Sequence, residues 1–216
     1  LQVAASSSFS TTVYSQTGLT SASQSVSGLA NSTQYYWRVN ATNAGGTGGW
    51  SQVWNFTTSV IHDVVLPQGW NMISSCVSPQ DSMLSALLNK ITARLVIMKN
   101  GAGQVYIPQF GIDQIVKWNP RHGYQVYMQA TDTLTVTGNE LDPQSTPIVM
   151  SQGWSMISYL RNSSMSADSA LTSISGNIVI AKNNQGQVYW PAFGINTIGA
   201  MKPGQGYLIY LQATST

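Results

Sequence analysis

One unit of sequence occurs twice in this 216-residue chain, so whatever one copy folds into, the other must closely match. Gly69-Trp70-Asn71-Met72-Ile73-Ser74 recurs as Gly153-Trp154-Ser155-Met156-Ile157-Ser158. The run from Gly103 to Ile112 (Gly-Gln-Val-Tyr-Ile-Pro-Gln-Phe-Gly-Ile) recurs from Gly186 to Ile195 as Gly-Gln-Val-Tyr-Trp-Pro-Ala-Phe-Gly-Ile. The offset is 84 at the first block and 83 at the second, so one residue is lost between them. Gly123-Tyr124, Tyr127 and Gln129-Ala130-Thr131 recur as Gly206-Tyr207, Tyr210 and Gln212-Ala213-Thr214. Copy one continues into Asp132-Thr133-Leu134-Thr135-Val136-Thr137, an alternating run that reads as a strand. Copy two reaches Thr216 where that strand is expected to begin. A duplicated unit short of an edge strand points to architecture and assembly before it points to catalysis.

Composition supports a non-enzymatic, extracellular reading. Only 7% of residues are charged, against roughly 25% in an average soluble domain. Ser, Thr, Asn and Gln carry the polarity instead, and the net charge is +2. Such a surface has little electrostatic repulsion to keep molecules apart, which favours self-association. The nine Lys and Arg are scattered singly, so no basic patch for nucleic acid is visible. No apolar run is long enough to span a membrane, and no signal peptide is recognisable.

The single cysteine, Cys76, is matched in the second copy by Leu160, and it reads as a small buried hydrophobe. Without cystines the chain must rely on its 43% hydrophobic content, enough for two or three small cores. Four segments follow: residues 1–58, repeat 1 over 59–137, a turn-rich linker over 138–147 with two prolines and a glycine, and repeat 2 over 148–216.

In the first segment, Gly18-Leu19-Thr20, Leu29 with Tyr35 six positions on, and the alternating run Tyr35-Tyr36-Trp37-Arg38-Val39-Asn40-Ala41 stand out. Asn43-Ala44-Gly45-Gly46, Trp50-Ser51 and Trp54-Asn55-Phe56-Thr57-Thr58 complete the pattern. The segment resembles a fibronectin type III domain, in which a tyrosine at this place ties its hydroxyl back to the preceding corner. That resemblance implies an antiparallel sandwich of seven strands in roughly 90–100 residues. Here the chain is expected to start at the third strand, Leu1-Gln2-Val3-Ala4, with two strands absent. Two explanations stand side by side: a stretch of a longer secreted polypeptide, or neighbours that complete each other's sheets and build a filament.

The repeat reads as mostly β with one short helix. Val64–Leu66, Trp70–Ser74, Leu95–Met98 and Tyr124–Met128 suit strands, as do Ile178–Ala181 and Tyr207–Leu211. Asn100-Gly101-Ala102-Gly103 and Asn183-Asn184-Gln185-Gly186 each predict a hairpin. Ser78 as N-cap, Pro79 at the first helical position and Asp81 in the first turn predict a helix whose stripe is Met83, Leu84, Leu87, Leu88 and Ile91. The expected fold class is therefore mainly β: an incomplete sandwich plus two homologous β-rich repeats. Residues 64–216 resemble the paired Gly-Trp-Asn-type repeats near the C-termini of large secreted proteins of Bacteroidetes-like bacteria. The resemblance implies a secreted or cell-surface location and brings no activity with it.

Chemistry-bearing sets are sparse. His62 and His122 have no histidine counterparts, Asp113 is matched by Asn196, and no carboxylate pair or His/Asp/Ser set appears in both copies, so no catalytic residue and no cofactor is expected. Asp132, Glu140 and Asp142 lie close in sequence and offer either a Ca²⁺ site or simply solvated acids. Trp118 and Trp190 each occur in one copy only, which makes them the best candidates for a sugar-stacking platform; the alternative, and the commoner role of such rings, is to fill small cores or interfaces. The lysines Lys99 and Lys182 recur beside the shared aromatics. The reading is a non-catalytic extracellular structural or adhesive protein, partnered with itself or with further domains of a larger protein. Its open sheet edges are expected at Leu1, Gln2, Val3 and Ala4 and at Tyr207, Leu208, Ile209, Tyr210 and Leu211. The alternative is a polysaccharide-binding accessory region of a secreted glycan-degrading enzyme.

Overall fold

The computed structural model describes residues 1–216 and divides them into two units, Leu1–Val60 and Ile61–Thr216. The first unit is built from β1 (Gln2–Ala4), β2 (Thr12–Ser15), β3 (Gln34–Arg38), a small hairpin of β4 (Thr42–Asn43) and β5 (Gly46–Thr47), and β6 (Trp54–Thr57). Four of these form one antiparallel sheet in the order β2-β1-β3-β6. Its register sets Val3 opposite Trp37, Trp37 opposite Trp54 and Tyr35 opposite Phe56. Residues directly opposite each other share a face, so the rings gather on one side. Trp37 stacks on Trp54 with centroids 4.7 Å apart. On the other side, the Arg38 guanidinium lies 4.1 Å from the Phe9 ring centroid and 4.4 Å from that of Trp50. The Tyr35 hydroxyl accepts the Ala30 N–H at 3.0 Å, a tie of the kind that the fibronectin resemblance implies.

β7 (Val60–Leu66) begins at the last residue of the first unit and continues into the second, which goes on with β8 (Gly69–Ile73) and β9 (Val77–Pro79), then α1 (Leu84–Leu87). It continues through β10 (Leu95–Asn100), β11 (Val105–Ile107), β12 (Ile112–Asp113), β13 (Tyr124–Met128) and β14 (Asp132–Glu140). These strands make a five-stranded sheet, β12-β11-β10-β13-β8, and a three-stranded one, β7-β14-β9. Repeat 2 supplies β15 (Gly153–Ser158), β16 (Met165–Ser166), α2 (Ala167–Ala170), β17 (Ile178–Lys182), β18 (Val188–Trp190), β19 (Ile195–Asn196), β20 (Ala200–Met201) and β21 (Gly206–Leu211). Its five-stranded sheet has the order β15-β21-β17-β18-β19, the same arrangement as in repeat 1. The chain is thus mainly β, with one four-residue α-helix per repeat.

Two boundaries differ from the sequence reading. Pro79 ends a strand rather than starting a helix, because Val77–Pro79 pairs with Gly138–Glu140. Helix α1 therefore begins at Leu84, and Asp81 instead accepts the Met83 N–H at 2.9 Å. Of the expected stripe, Leu84, Leu88 and Ile91 are buried, Leu87 is half-buried and Met83 is exposed, and the helix stops at Leu87, so Leu88 and Ile91 are buried from the turns that follow it. The expected linker over 138–147 loses its first three residues to β14 for the same reason.

The two repeats meet through reciprocal contacts. Ile73 bridges to Gln205, and the equivalent Ile157 bridges to His122. The Ser74 N–H donates to Gly204 O at 3.0 Å, and the equivalent Ser158 N–H donates to Arg121 O at 3.2 Å. A patch that meets its own copy in this way is an isologous, two-fold contact made within one chain. This accounts for the recurrence of Met-Ile-Ser in both copies: Ser74 is fully buried, and its hydroxyl donates to Gln205 O at 2.6 Å. Behind each contact stands a buried tyrosine. Tyr124 accepts the Asn119 N–H at 2.7 Å, and Tyr207 accepts the Lys202 N–H at 2.9 Å, each from five residues back.

Candidate functional site

The edges expected from sequence are not edges. Gln2–Ala4 lies between β2 and β3 and is paired on both sides. Tyr207–Leu211 lies in β21, between β15 and β17, with Tyr207, Ile209 and Leu211 fully buried. The outermost strands are instead β2 and β6 in the first unit, and β15 and β19 in repeat 2. Alternation identified these segments as strands but carries no information about which strands flank them.

The acid cluster also separates. Asp132 and Glu140 stand at opposite ends of β14, about 26 Å apart for a nine-residue strand at ~3.3 Å per residue. Asp132 faces Arg94 at 3.4 Å, the Glu140 carboxylate accepts from the Asn162 amide, and Asp142 accepts the Gln144 N–H. No three His, Cys, Asp or Glu side chains converge anywhere in the chain. His62 is held against the Ser75 hydroxyl at 3.0 Å; burial lowers its pKa, opposed in part by the neighbouring Asp63. Burial likewise raises the Cys76 thiol above its ordinary value.

Trp118 is 3% exposed and stacks on Tyr124 at 4.4 Å, so it cannot present a face to a sugar. It fills the space beside the Tyr124 latch, a core role that its absence from the second copy did not reveal. Trp190 is half-buried and meets Phe193 edge-on at 4.6 Å, with Phe193 itself 66% exposed.

Within the repeats the exposed tryptophans are Trp70 and Trp154, 47% and 51% accessible. Each is the direct cross-strand partner of a tyrosine, Tyr127 for Trp70 and Tyr210 for Trp154. Both pairs are T-shaped with centroids 5.2 Å apart. A lysine completes each group: Lys99 Nζ lies 5.0 Å from the Trp70 ring, and Lys182 Nζ 5.4 Å from the Trp154 ring. The hairpin of the opposite repeat borders each site. Asn184 donates to Trp70 O at 2.9 Å, and Asn100 and Gln104 line the depression beside Trp154. The two sites are copies of one another, each an apolar ring flanked by a cation and side-chain amides. Sequence showed the recurrence of Trp, Tyr and Lys, but recurrence alone suggested shared core; their common cross-strand register was the missed signal.

The first unit presents a different kind of surface. On the ring-bearing face of its sheet, Val39, Trp54 and Phe56 are each 37% exposed. Leu1, Val3, Leu19, Trp37 and Val39 line a depression of about 320 Å³ on that face. No helix in the chain is long and apolar enough to cross a membrane. No family model, characterised protein or solved structure matches this chain.

Proposed function

We propose that the chain is a non-catalytic, extracellular structural or adhesive module that associates with neighbouring chains by strand complementation, as in a surface filament or a larger secreted assembly. The observation that carries this reading is the first unit's sheet. Its ring-lined face leaves Val39, Trp54 and Phe56 exposed beside the depression, and β2 and β6 are each paired on one side only. Exposed apolar area favours cover by about 25 cal/mol per Å², and an unpaired strand edge supplies backbone donors and acceptors in register for an added strand. The low charge removes the repulsion that would oppose such contact. The resemblances to fibronectin-type and Gly-Trp-Asn-type modules point the same way. Sedimentation velocity over a concentration series tests the reading: a rising weight-average mass is expected, and a single monomer boundary at every concentration would overturn it.

A second reading, polysaccharide binding, is favoured by one specific observation, the duplicated exposed Trp/Tyr/Lys groups at Trp70 and Trp154. The C–H face of a sugar packs on an open aromatic ring while neighbouring amides bond its hydroxyls. The expected sites therefore move from Trp118 and Trp190 to this pair.

A further inference from the structure

We propose that the depression beside Trp154 belongs to a cationic trough that binds an acidic polysaccharide, one whose sugars carry carboxylate or sulfate groups. The copy beside Trp70 shares the aromatic group and lacks the cationic lining. This inference rests on the polysaccharide-binding reading and names the ligand class of one of its two sites.

Two depressions meet there. One, of about 330 Å³, holds the half-exposed Trp154 ring together with Arg121 and His122. The other, of about 400 Å³, is lined by Lys117, Trp118 and Tyr124. Asn100, Gln104 and His122 line both, so the two run into one another. Lys182, beside the Trp154 ring, adds a third cation. No Asp or Glu lines either depression, and neither Lys117 nor Arg121 is ion-paired. The Arg121 Nε–H donates to Pro147 O at 2.9 Å, which orients the guanidinium and leaves its terminal nitrogens to meet a carboxylate or sulfate.

An independent observation at the same place points to a ligand. Trp118 is 3% exposed, and its indole N–H is the chain's one buried side-chain donor without an acceptor. Buried donors are nearly always paired. The Trp118 face is stacked on Tyr124, so the ring offers the trough an edge donor and not a stacking platform. An oxygen of a bound sugar would supply the missing acceptor.

The other copy separates ligand chemistry from packing. At the offset of 83, Lys117, Arg121 and His122 are matched by Ala200, Gly204 and Gln205, and Trp118 by Met201. The depression beside Trp70, of about 500 Å³, has Asp63 as its one charged lining residue. Yet the contact between the repeats is kept in both halves, through the backbone oxygens of Arg121 and Gly204. The two-fold contact thus forms without a cation on one side, and what Lys117 and Arg121 add on the other is positive charge beside an exposed ring. A neutral sugar has no use for that charge, whereas an acidic polymer presents anions to Lys182, Arg121 and Lys117 within one trough.

The test uses the whole chain and two matched pairs of probes, oligogalacturonate with its methyl ester and dextran sulfate with dextran, titrated by calorimetry at low salt. One tight site for an acidic probe is expected, at least tenfold stronger than for its uncharged partner, and the pair that shows it names the anionic group. The preference is expected to vanish in the double variant Lys117→Ala, Arg121→Gln, with its fold checked by circular dichroism. It is expected to persist in Lys90→Ala, Arg161→Gln, which removes the same charge from exposed positions outside the trough. Trp154→Ala is expected to remove the tight site and Trp70→Ala to keep it. The indole proton resonance of Trp118 is expected to shift as that site fills. Equal binding of acidic and uncharged probes, equal effects of the two double variants, or an unmoved indole proton overturns the proposal. Uncharged probes bound as well as acidic ones, through Trp70 and Trp154 alike, would leave the twin-site reading standing and remove the acidic assignment; binding of no probe overturns both.

Discussion

Gly206 lies so close to Ile73 that a Cβ on it would stand 2.7 Å from the Ile73 carbonyl oxygen, and Gly123 meets Ile157 in the same way at 2.6 Å. The obstacle in both cases is backbone, which cannot swing aside. Gly206→Ala is therefore expected to destabilise the second unit by about 1–3 kcal/mol, the usual cost of overpacking. Gly123→Ala is expected to cost the same within error, because the two contacts are copies. Urea unfolding of each variant measures this. A large loss at one glycine and none at the other would show that the two-fold contact is not shared.

The tyrosine latches predict an alkaline limit. Burial pushes the phenols of Tyr124 and Tyr207 up to about 12 from the ordinary 10.0, and the backbone N–H each accepts opposes the shift only in part. Ionisation is thus harder in the folded state. Each latch contributes its stability in full below pH 10, and that contribution is lost as pH rises through about 12. At about 1.4 kcal/mol per pH unit, each is worth about 2–3 kcal/mol. Thermal unfolding followed in the near ultraviolet should show Tm falling steeply over this range, and more gently in Tyr207→Phe. That variant starts lower by about 1–3 kcal/mol because the Lys202 N–H loses its acceptor. A flat Tm from pH 10 to 12 would contradict the assignment.

The twin surface sites make a paired prediction. If polysaccharide is bound, Trp70→Ala and Trp154→Ala should each remove about half the binding capacity in a depletion assay, and the double variant nearly all of it. Both rings are about half exposed, so neither change should lower Tm much. Trp118→Ala should do the reverse, costing about 3–5 kcal/mol of stability for a buried aromatic while leaving the surface sites in place. Binding lost only on Trp118→Ala would count against the twin sites.

In β14, Gly138→Val is expected to break the pairing of β14 with β9, since the added Cβ would meet Ser78 O and the Ser78 carbon within 2.7 Å. Faster amide exchange at Ser78 and Asn139, with the β8–β13 ladder unchanged, is the measurement that checks it.

Local patterns in the sequence translated well. The two hairpins and the Tyr35 hydrogen bond depend on neighbours close along the chain. Pro79 shows the first limit, because Ser-Pro suits a helix start and a strand end equally, and the distant Gly138 decides between them. Leu1–Ala4 and Tyr207–Leu211 show the second. Their alternation was legible, but their partners in the flanking strands lie 8 to 58 residues away, and strand order is not written in period-2 patterning. Trp118 shows the third: counting which aromatics recur separates shared from unshared residues, not buried from exposed ones. The Trp70 and Trp154 sites were hidden by the same inference in reverse.

The most direct test of assembly through the first unit is electron microscopy of the concentrated chain beside a variant carrying Val13→Lys on β2 and Asn55→Lys on β6. Both positions are exposed on outermost strands, so the substitutions should leave Tm within a few degrees of the parent. Ordered polymers of the parent chain, absent in the variant, are the predicted result. Dispersed monomers of the parent at every concentration, or the same polymers from both chains, would contradict the account.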